Sequence, residues 1–392
     1  MSVVSSSSHA AASSACHAPP ARSASTVAAS SSRAPPEPPA EPSLAVAQAH
    51  LADAARLTGA NAARELRYTT DSPPPPDGTA RGLVNLGNTC YGNALLTALS
   101  KIPHVRRWCH EHLVDARRSS SHPLTCPLCM LGRDLAAINS HGNQAPHYPE
   151  VLLRRGTWNP AFANYAQQDA NEAFQSLVGS CDDVDAMAVS QLPMWSHMTR
   201  ADFNASTLRA TTPQHQIFGD LELVRVKCTA CNTASVKYER AHTQEISLAN
   251  ANHTTLELLL TDHVGEEHLD ADFTCAACHA RGRSTKTTEI LHWPPVLVIT
   301  LKRFTFDVVT QAMHKTDRHI SYPMLFPVPA GPTYSLRAVV VHIGGDTGGH
   351  YVSYVRASDE CWYFYNDSAV PQRVQDPRTV LQKEAYMLFY ER

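Results

Sequence analysis

The chain has 392 residues, 43% of them hydrophobic, a formal net charge of −3 and eleven cysteines. That is enough apolar material for a sizeable core without staples, and a charge balance too near neutral for nucleic acid or an anionic membrane to be a main partner. No run approaches the ~18 apolar residues of a membrane helix, and the start Met1-Ser-Val-Val lacks the regions of a secretory signal. An intracellular protein, cytoplasmic or nuclear and monomeric, is expected.

Residues 1 to about 40 are Ser, Ala and Pro with few large apolar side chains, too little to offset ordering entropy, so disorder is expected there. Residues 43–67 carry a helix-like leucine and alanine pattern, which the run Ser72-Pro-Pro-Pro-Pro-Asp-Gly78 ends. The proline run sets a domain boundary near residue 80.

Cys90 follows Gly87-Asn88-Thr89, a turn with two capping residue types, and precedes Leu95, Leu96 and Leu99 at helical spacing. A helix therefore starts near Cys90 and places the thiol at its positive end, which favours thiolate. A cysteine there is either a small buried apolar residue or a nucleophile. Further on, Cys126-Pro-Leu-Cys129 has metal-ligand spacing near Cys109, His110, His112 and His122, and is either a second metal site or a pair of plain thiols. Tyr165 to Val178 reads as a helix with Ala166, Ala170, Ala173, Phe174 and Leu177 inward and Asp169 and Glu172 outward. Residues 180–214 give no clear pattern.

From Ile217 to Lys227 apolar and polar residues alternate as in a strand that runs into Cys228-Thr-Ala-Cys231, and Cys275-Ala-Ala-Cys278 follows. Two such knuckles at strand ends form a zinc ribbon whose four thiolates close a tetrahedral shell, making the ion structural. A redox reading would need a thioredoxin-like context that is absent. Thr254 to Leu260 reads as a capped helix, and Pro294 to Leu301 as a strand buried on both faces. Residues 334–343, 351–356, 361–365 and 386–390 continue a mostly antiparallel sheet. His350 opens one of these strands, and Asn366 and Asp367 close the next. A cysteine nucleophile needs an imidazole base and a group that orients it, and the chain supplies both.

Gly-Asn-Thr-Cys-Tyr at 87–91, Gln-Gln-Asp-Ala at 167–170, Leu-Lys-Arg-Phe at 301–304 and Gly-His-Tyr at 349–351 stand in order. Together with the cysteine quartet, this set resembles the ubiquitin-specific protease family of cysteine deubiquitinases from Arg81 to the C-terminus. The resemblance implies an α+β, papain-like fold: a helical thumb over about 81–214, zinc-ribbon fingers over about 215–290 and an antiparallel β palm over about 291–392. It implies hydrolysis after the terminal Gly-Gly of ubiquitin, with ubiquitin and ubiquitinated proteins as partners. It assigns Cys90 as nucleophile, His350 as base and Asn366 as the orienting group, expected to accept from Nδ1–H of His350. Asn85 matches the oxyanion-hole side chain, Asp169 a contact to the Arg-containing ubiquitin tail, and Asp367 a supporting position. Strand alternation would put only one of Asn366 and Asp367 within reach of the imidazole. The chain departs from the family at Gly92, where a large residue is usual, and at Ala173-Phe174. These departures leave open a catalytically weak ubiquitin-binding scaffold, as the shared Gly-Gly end leaves open a peptidase for a ubiquitin-like modifier.

Overall fold

A helix that is buried on every side organises the structure, a computed structural model that describes residues 81–118, 125–140, 145–190, 212–346 and 348–392. The expectations for residues 1–80 and 191–211 lie outside these. The central helix is α1 (Cys90–Ser100), all eleven of whose residues are buried. Such a helix is enclosed by protein rather than lying on its surface. Around it stand α2 (Pro103–Arg118), α3 (Pro127–Ile138), the short α4 (Glu150–Leu153) and α5 (Arg155–Trp158), and α6 (Ala170–Ser190). Two of its buried hydroxyls are paired: that of Thr97 lies 2.6 Å from that of Ser353 on the sheet, and that of Ser100 donates to the Thr97 carbonyl.

The departure at Gly92 has a packing cause. A Cβ built there would stand 2.5 Å from Cδ2 of Leu152, which is 2% exposed, so α4 fills the space that a larger side chain would occupy. Gly92→Ala is therefore expected to cost about 1–3 kcal/mol as overpacking. Thermal unfolding should show a fall of several degrees, reversed by adding Leu152→Ala; an unchanged melting temperature in the single variant would refute the packing account.

Helix α6 starts at Ala170, later than the helical spacing from Tyr165 suggested, and Ala166 is exposed outside it. The reason is Asp169, whose Oδ1 accepts from the N–H groups of Asn171 and Glu172 and so caps the helix. The strand expected from Ile217 likewise starts later. Thr212-Pro213 opens a short helix, α7 (Pro213–Phe218), with proline at its first turn, and Phe218 packs edge-on against Phe174 at 5.3 Å.

The fingers are a four-stranded sheet in the order β2 (Ala234–Glu239), β1 (Leu221–Cys228), β5 (Ser284–His292), β4 (Glu266–His268). The palm strands are β3 (Gln244–Ser247), β6 (Val296–Lys302), β10 (Thr333–Gly344), β11 (Gly349–Arg356), β12 (Trp362–Tyr365), β13 (Gln372–Arg373) and β14 (Ala385–Glu391). They run in the order β13-β12-β11-β10-β14-β6-β3, with β9 (Leu325–Pro327) beside β10. Every pairing is antiparallel except β3 with β6. As expected, β6 is buried along its length, Lys302 excepted. Between the two sheets in sequence, α8 (Leu256–Val264) carries its Thr255 cap. The conspicuous Leu-Lys-Arg-Phe run also has a structural reason. Arg303 is 1% exposed and donates to the carbonyls of Ala385, Thr316 and Arg318, tying β14 to the 316–318 segment. Burying the cation is offset by the three carbonyls that meet Nε and Nη1.

Candidate active site

The site lies where α1 meets the sheet at β10 and β11. Thr89 is the cap residue of α1, but its hydroxyl accepts from Leu86 N–H at 2.9 Å and not from the helix. Asn85 winds the turn instead: its Oδ1 accepts from the N–H groups of Gly87 and Thr89, both at 3.1 Å. The chain thereby enters α1 with Cys90 as its first helical residue, 4% exposed.

The Cys90 thiol differs from the expectation of a ready thiolate. Burial raises its pKa above the usual cysteine value, and the negative charge of Asp367 raises it further. Backbone N–H groups of Tyr351, Tyr91 and Cys90 itself pull the other way. Desolvation outweighs the helix end here, so the thiol keeps its proton until a base takes it. The Tyr351 contact also locates the sulfur beside the peptide that follows His350.

His350 is the second residue of β11 and is half-exposed. Its Nε2 lies 2.7 Å from Oδ1 of Asn366. Because an amide oxygen only accepts, the imidazole hydrogen is on Nε2, and Nδ1 carries the free lone pair. That reverses the nitrogen expected from the sequence. Both residues after β12 are near the ring: Asp367 Oδ2 is 4.0 Å from Nε2. Alternation does not apply because the strand ends at Tyr365 and Asp367 has a φ of 43°, which turns the chain.

Asp367 also reaches the turn before Cys90 and the helix after it. Its Oδ2 accepts from Asn85 Nδ2 at 2.9 Å and its Oδ1 from Asn93 Nδ2 at 2.8 Å, while its carbonyl accepts from Leu83 N–H. One carboxylate thus ties the turn before Cys90, the helix after it and the loop that follows β12. The only signal for Asn93 was an amide among the mostly apolar residues of α1.

Asp169 lines a cleft of about 510 Å³ with Gln167, Asn171, Glu245, His342 and Tyr386 among others. Its Oδ1 is used by the α6 cap, and its Oδ2 accepts from the hydroxyls of Tyr351 and Tyr386. Across the cleft, the Gln167 side chain exchanges two hydrogen bonds with the Gly349 peptide, at 3.0 and 3.2 Å. Gly349 has no room for a side chain, since a Cβ would stand 2.4 Å from His342 Nε2. Burial and nearby Lys315 push the His342 imidazole down to about 4, so it is neutral near pH 7.

At the far end of the fingers, Cys228, Cys231, Cys275 and Cys278 bring their sulfurs within 4.8 Å of one another. The Cys228–Cys278 and Cys231–Cys275 sulfurs are 3.7 and 3.8 Å apart. A tetrahedral shell with zinc–sulfur bonds of about 2.3 Å has edges of about 3.8 Å, so the four thiols fit zinc. Each knuckle is followed by a residue in the left-handed region, Asn232 (φ 58°) and His279 (φ 59°), which reverses the chain beneath the sulfurs. Cys228→Ser or Cys275→Ser is expected to unfold the fingers and lower solubility, as a structural zinc supplies on the order of 10 kcal/mol. Metal analysis checks this: active wild-type chain free of zinc would refute the site.

A buried helix presenting a cysteine to the central strands of a mostly antiparallel sheet, with zinc-ribbon fingers alongside, places this chain among papain-like cysteine peptidases. The family model of ubiquitin carboxyl-terminal hydrolases matches residues 81–390, and the chain belongs to that family. It is 30% identical over 327 residues to ubiquitin carboxyl-terminal hydrolase 17-like protein C of Mus musculus, a match covering 80% of this chain and 55% of the relative. It is 30% identical over 334 residues to ubiquitin carboxyl-terminal hydrolase 15 of Arabidopsis thaliana, covering 81% and 34%. The chain thus spans about half the length, or less, of these relatives. Among solved structures, the SAGA DUB module of Ubp8 bound to monoubiquitin matches with a TM-score of 0.65 at 22% identity, covering 88% of this chain and 75% of that one. The module bound to ubiquitin aldehyde matches at 0.64 and 20%. No described helix is long and apolar enough to cross a membrane.

Proposed function

We propose that the chain is a thiol-dependent deubiquitinase that cleaves isopeptide or peptide bonds after the C-terminal glycine of ubiquitin. The observation that carries this is the hydrogen bond from His350 Nε2 to Asn366, which leaves Nδ1 as a base on the strand whose next peptide touches the Cys90 sulfur. Membership of the family and the ubiquitin-bound state of its structural neighbours support ubiquitin as the substrate.

In this reading Nδ1 of His350 takes the Cys90 proton, and the sulfur attacks the glycine carbonyl. The remaining N–H of Asn85 and the N–H at the start of α1 receive the negative charge on oxygen. His350 returns the proton to the leaving amine, and water then cleaves the thioester. Gln167 and Gly349 border the narrow path for the tail, and Asp169 offers its Oδ2 to the Arg-containing end of ubiquitin. The fingers cysteines hold one zinc ion, which supplies structure and no step of the reaction.

The test is labelling with ubiquitin bearing a C-terminal electrophile. Covalent attachment at Cys90 supports the proposal. Binding without attachment would make the chain a scaffold, and attachment only of another modifier's probe would make it a peptidase for that modifier.

A further inference from the structure

The segment that leads into the Cys90 turn is held on two sides. On one side His147 N–H donates to the Gly82 carbonyl at 2.9 Å, and Val84 N–H donates to the His147 carbonyl at 2.8 Å. On the other, Leu83 N–H donates to the carbonyl of Asp367 at 2.8 Å. We propose that Gly82 and Leu83, backed by His147, are positioning residues: they form a strap that sets the Asn366–Asp367 loop and, through it, the imidazole of His350. The proposal rests on the reading of His350 as the base.

The loop needs such a support. Asp367 has a φ of 43°, a conformation that a residue with a side chain keeps only where its surroundings determine it. Asn366, whose Oδ1 meets His350 Nε2, is the residue just before it, so a rotation at Asp367 displaces the oxygen that holds the ring. Three sets of contacts oppose that rotation. Ala369 N–H closes the turn on the Asn366 carbonyl at 3.0 Å, Asn85 and Asn93 hold the Asp367 carboxylate, and Leu83 holds the Asp367 carbonyl. Of these, the Leu83 contact alone fixes the main chain of the loop from another segment.

Gly82 shows how closely strap and loop meet. A Cβ there would stand 2.6 Å from the Asp367 carbonyl oxygen and 2.7 Å from both the Ala369 carbonyl oxygen and the Ser368 carbonyl carbon. All three are backbone atoms, which cannot swing aside as a side chain would. The φ of Gly82 lies outside the left-handed region, so space and not backbone angle calls for glycine. The strap is itself anchored in the thumb. Leu83 is fully buried, and His147 Nε2 lies 2.7 Å from Oδ1 of Asp134, a buried carboxylate that also accepts the N–H groups of Glu150 and Val151 at α4. A strap so backed does not retreat when the loop presses on it.

The test combines Gly82→Ala with Asn366→Ala in the full chain. Gly82→Ala is expected to lower kcat on a ubiquitin–fluorophore substrate about 10²-fold with KM little changed, the cost of misplacing a catalytic group by about 1 Å. In the Asn366→Ala background the same change should cost at most about threefold, because both act through one hydrogen bond to His350. General destabilisation would instead carry its cost into both backgrounds. Nitrogen NMR of isotope-labelled histidine reads the His350 tautomer with no substrate present: Nε2 protonated in wild type, a mixture of tautomers in Gly82→Ala and in Asn366→Ala. Should wild type cleave no ubiquitin substrate, these spectra alone decide, so a failed hydrolase reading is told apart from a failed strap. If Gly82→Ala does not fold, His147→Ala takes its place. It removes the tie to Asp134 and should give a smaller fall in kcat that His147→Gln restores. Full activity, equal losses in both backgrounds, or an unchanged His350 spectrum in whichever variant folds would overturn the proposal.

Discussion

Cys90→Ala and His350→Ala are each expected to abolish hydrolysis of a ubiquitin–fluorophore substrate, a loss on the order of 10⁴–10⁶ in kcat, while ubiquitin binding stays within a few-fold. The thiol is buried and its proton is retained, so the nucleophile depends on a neighbouring base more than an already acidic cysteine would. Asn366→Ala should lower kcat by about 10²–10³, because Nε2–H then loses the acceptor that fixes the ring and the tautomer. Asn366→Asp should keep most of the activity, since a carboxylate accepts the same hydrogen. Steady-state rates decide: full activity in His350→Ala would remove the base from the scheme.

The second large effect is expected at Asp367, which touches no reacting atom in the scheme. Its carboxylate holds the side-chain amides of Asn85 and Asn93, so Asp367→Ala frees the residue proposed above to receive the oxyanion. A fall of about 10²–10³ in kcat follows, the size seen when one oxyanion donor is lost, with KM changed little. Asn85→Ala should match it, and the double variant should be no worse than the poorer single, because both act through one contact. A second readout separates this from simple destabilisation. Removing the Asp367 charge takes away one cause of the raised Cys90 pKa, so alkylation of Cys90 should shift to lower pH. If Asp367→Ala is inactive while Asn366→Ala is unaffected, Asp367 and not Asn366 orients His350.

Much of this was legible in the chain. The start of α1 at Cys90 follows from the Gly-Asn-Thr turn, and the zinc ribbon from two Cys-x-x-Cys pairs after strands, because both are local patterns. What was missed depends on contacts distant in sequence or on the competition between burial and local fields. The helix end suggested a thiolate, but desolvation outweighs it at Cys90. Alternation failed at Asn366 and Asp367 because β12 stops one residue earlier. Asp169 appeared as a polar helix face, whereas capping makes it the residue before the helix. The fit of Leu152 over Gly92 could not be read at all, since α4 and α1 are brought together only by the packed thumb.

The enclosure of α1 gives the site a fixed side and an adjustable one. Cys90 cannot shift without moving a helix that is walled in on all faces. His350 instead begins a strand whose approach is tethered from outside. Lys315, at the end of the hairpin formed by β7 (Phe304–Asp307) and β8 (Ala312–Lys315), donates from Nζ to the carbonyls of His342 and Gly344, and its N–H donates to Asp346. The same hairpin exposes Phe306, Val308, Val309 and Met313. The hairpin thus braces the backbone that leads into the imidazole's strand, while the enclosed helix braces the sulfur that faces it.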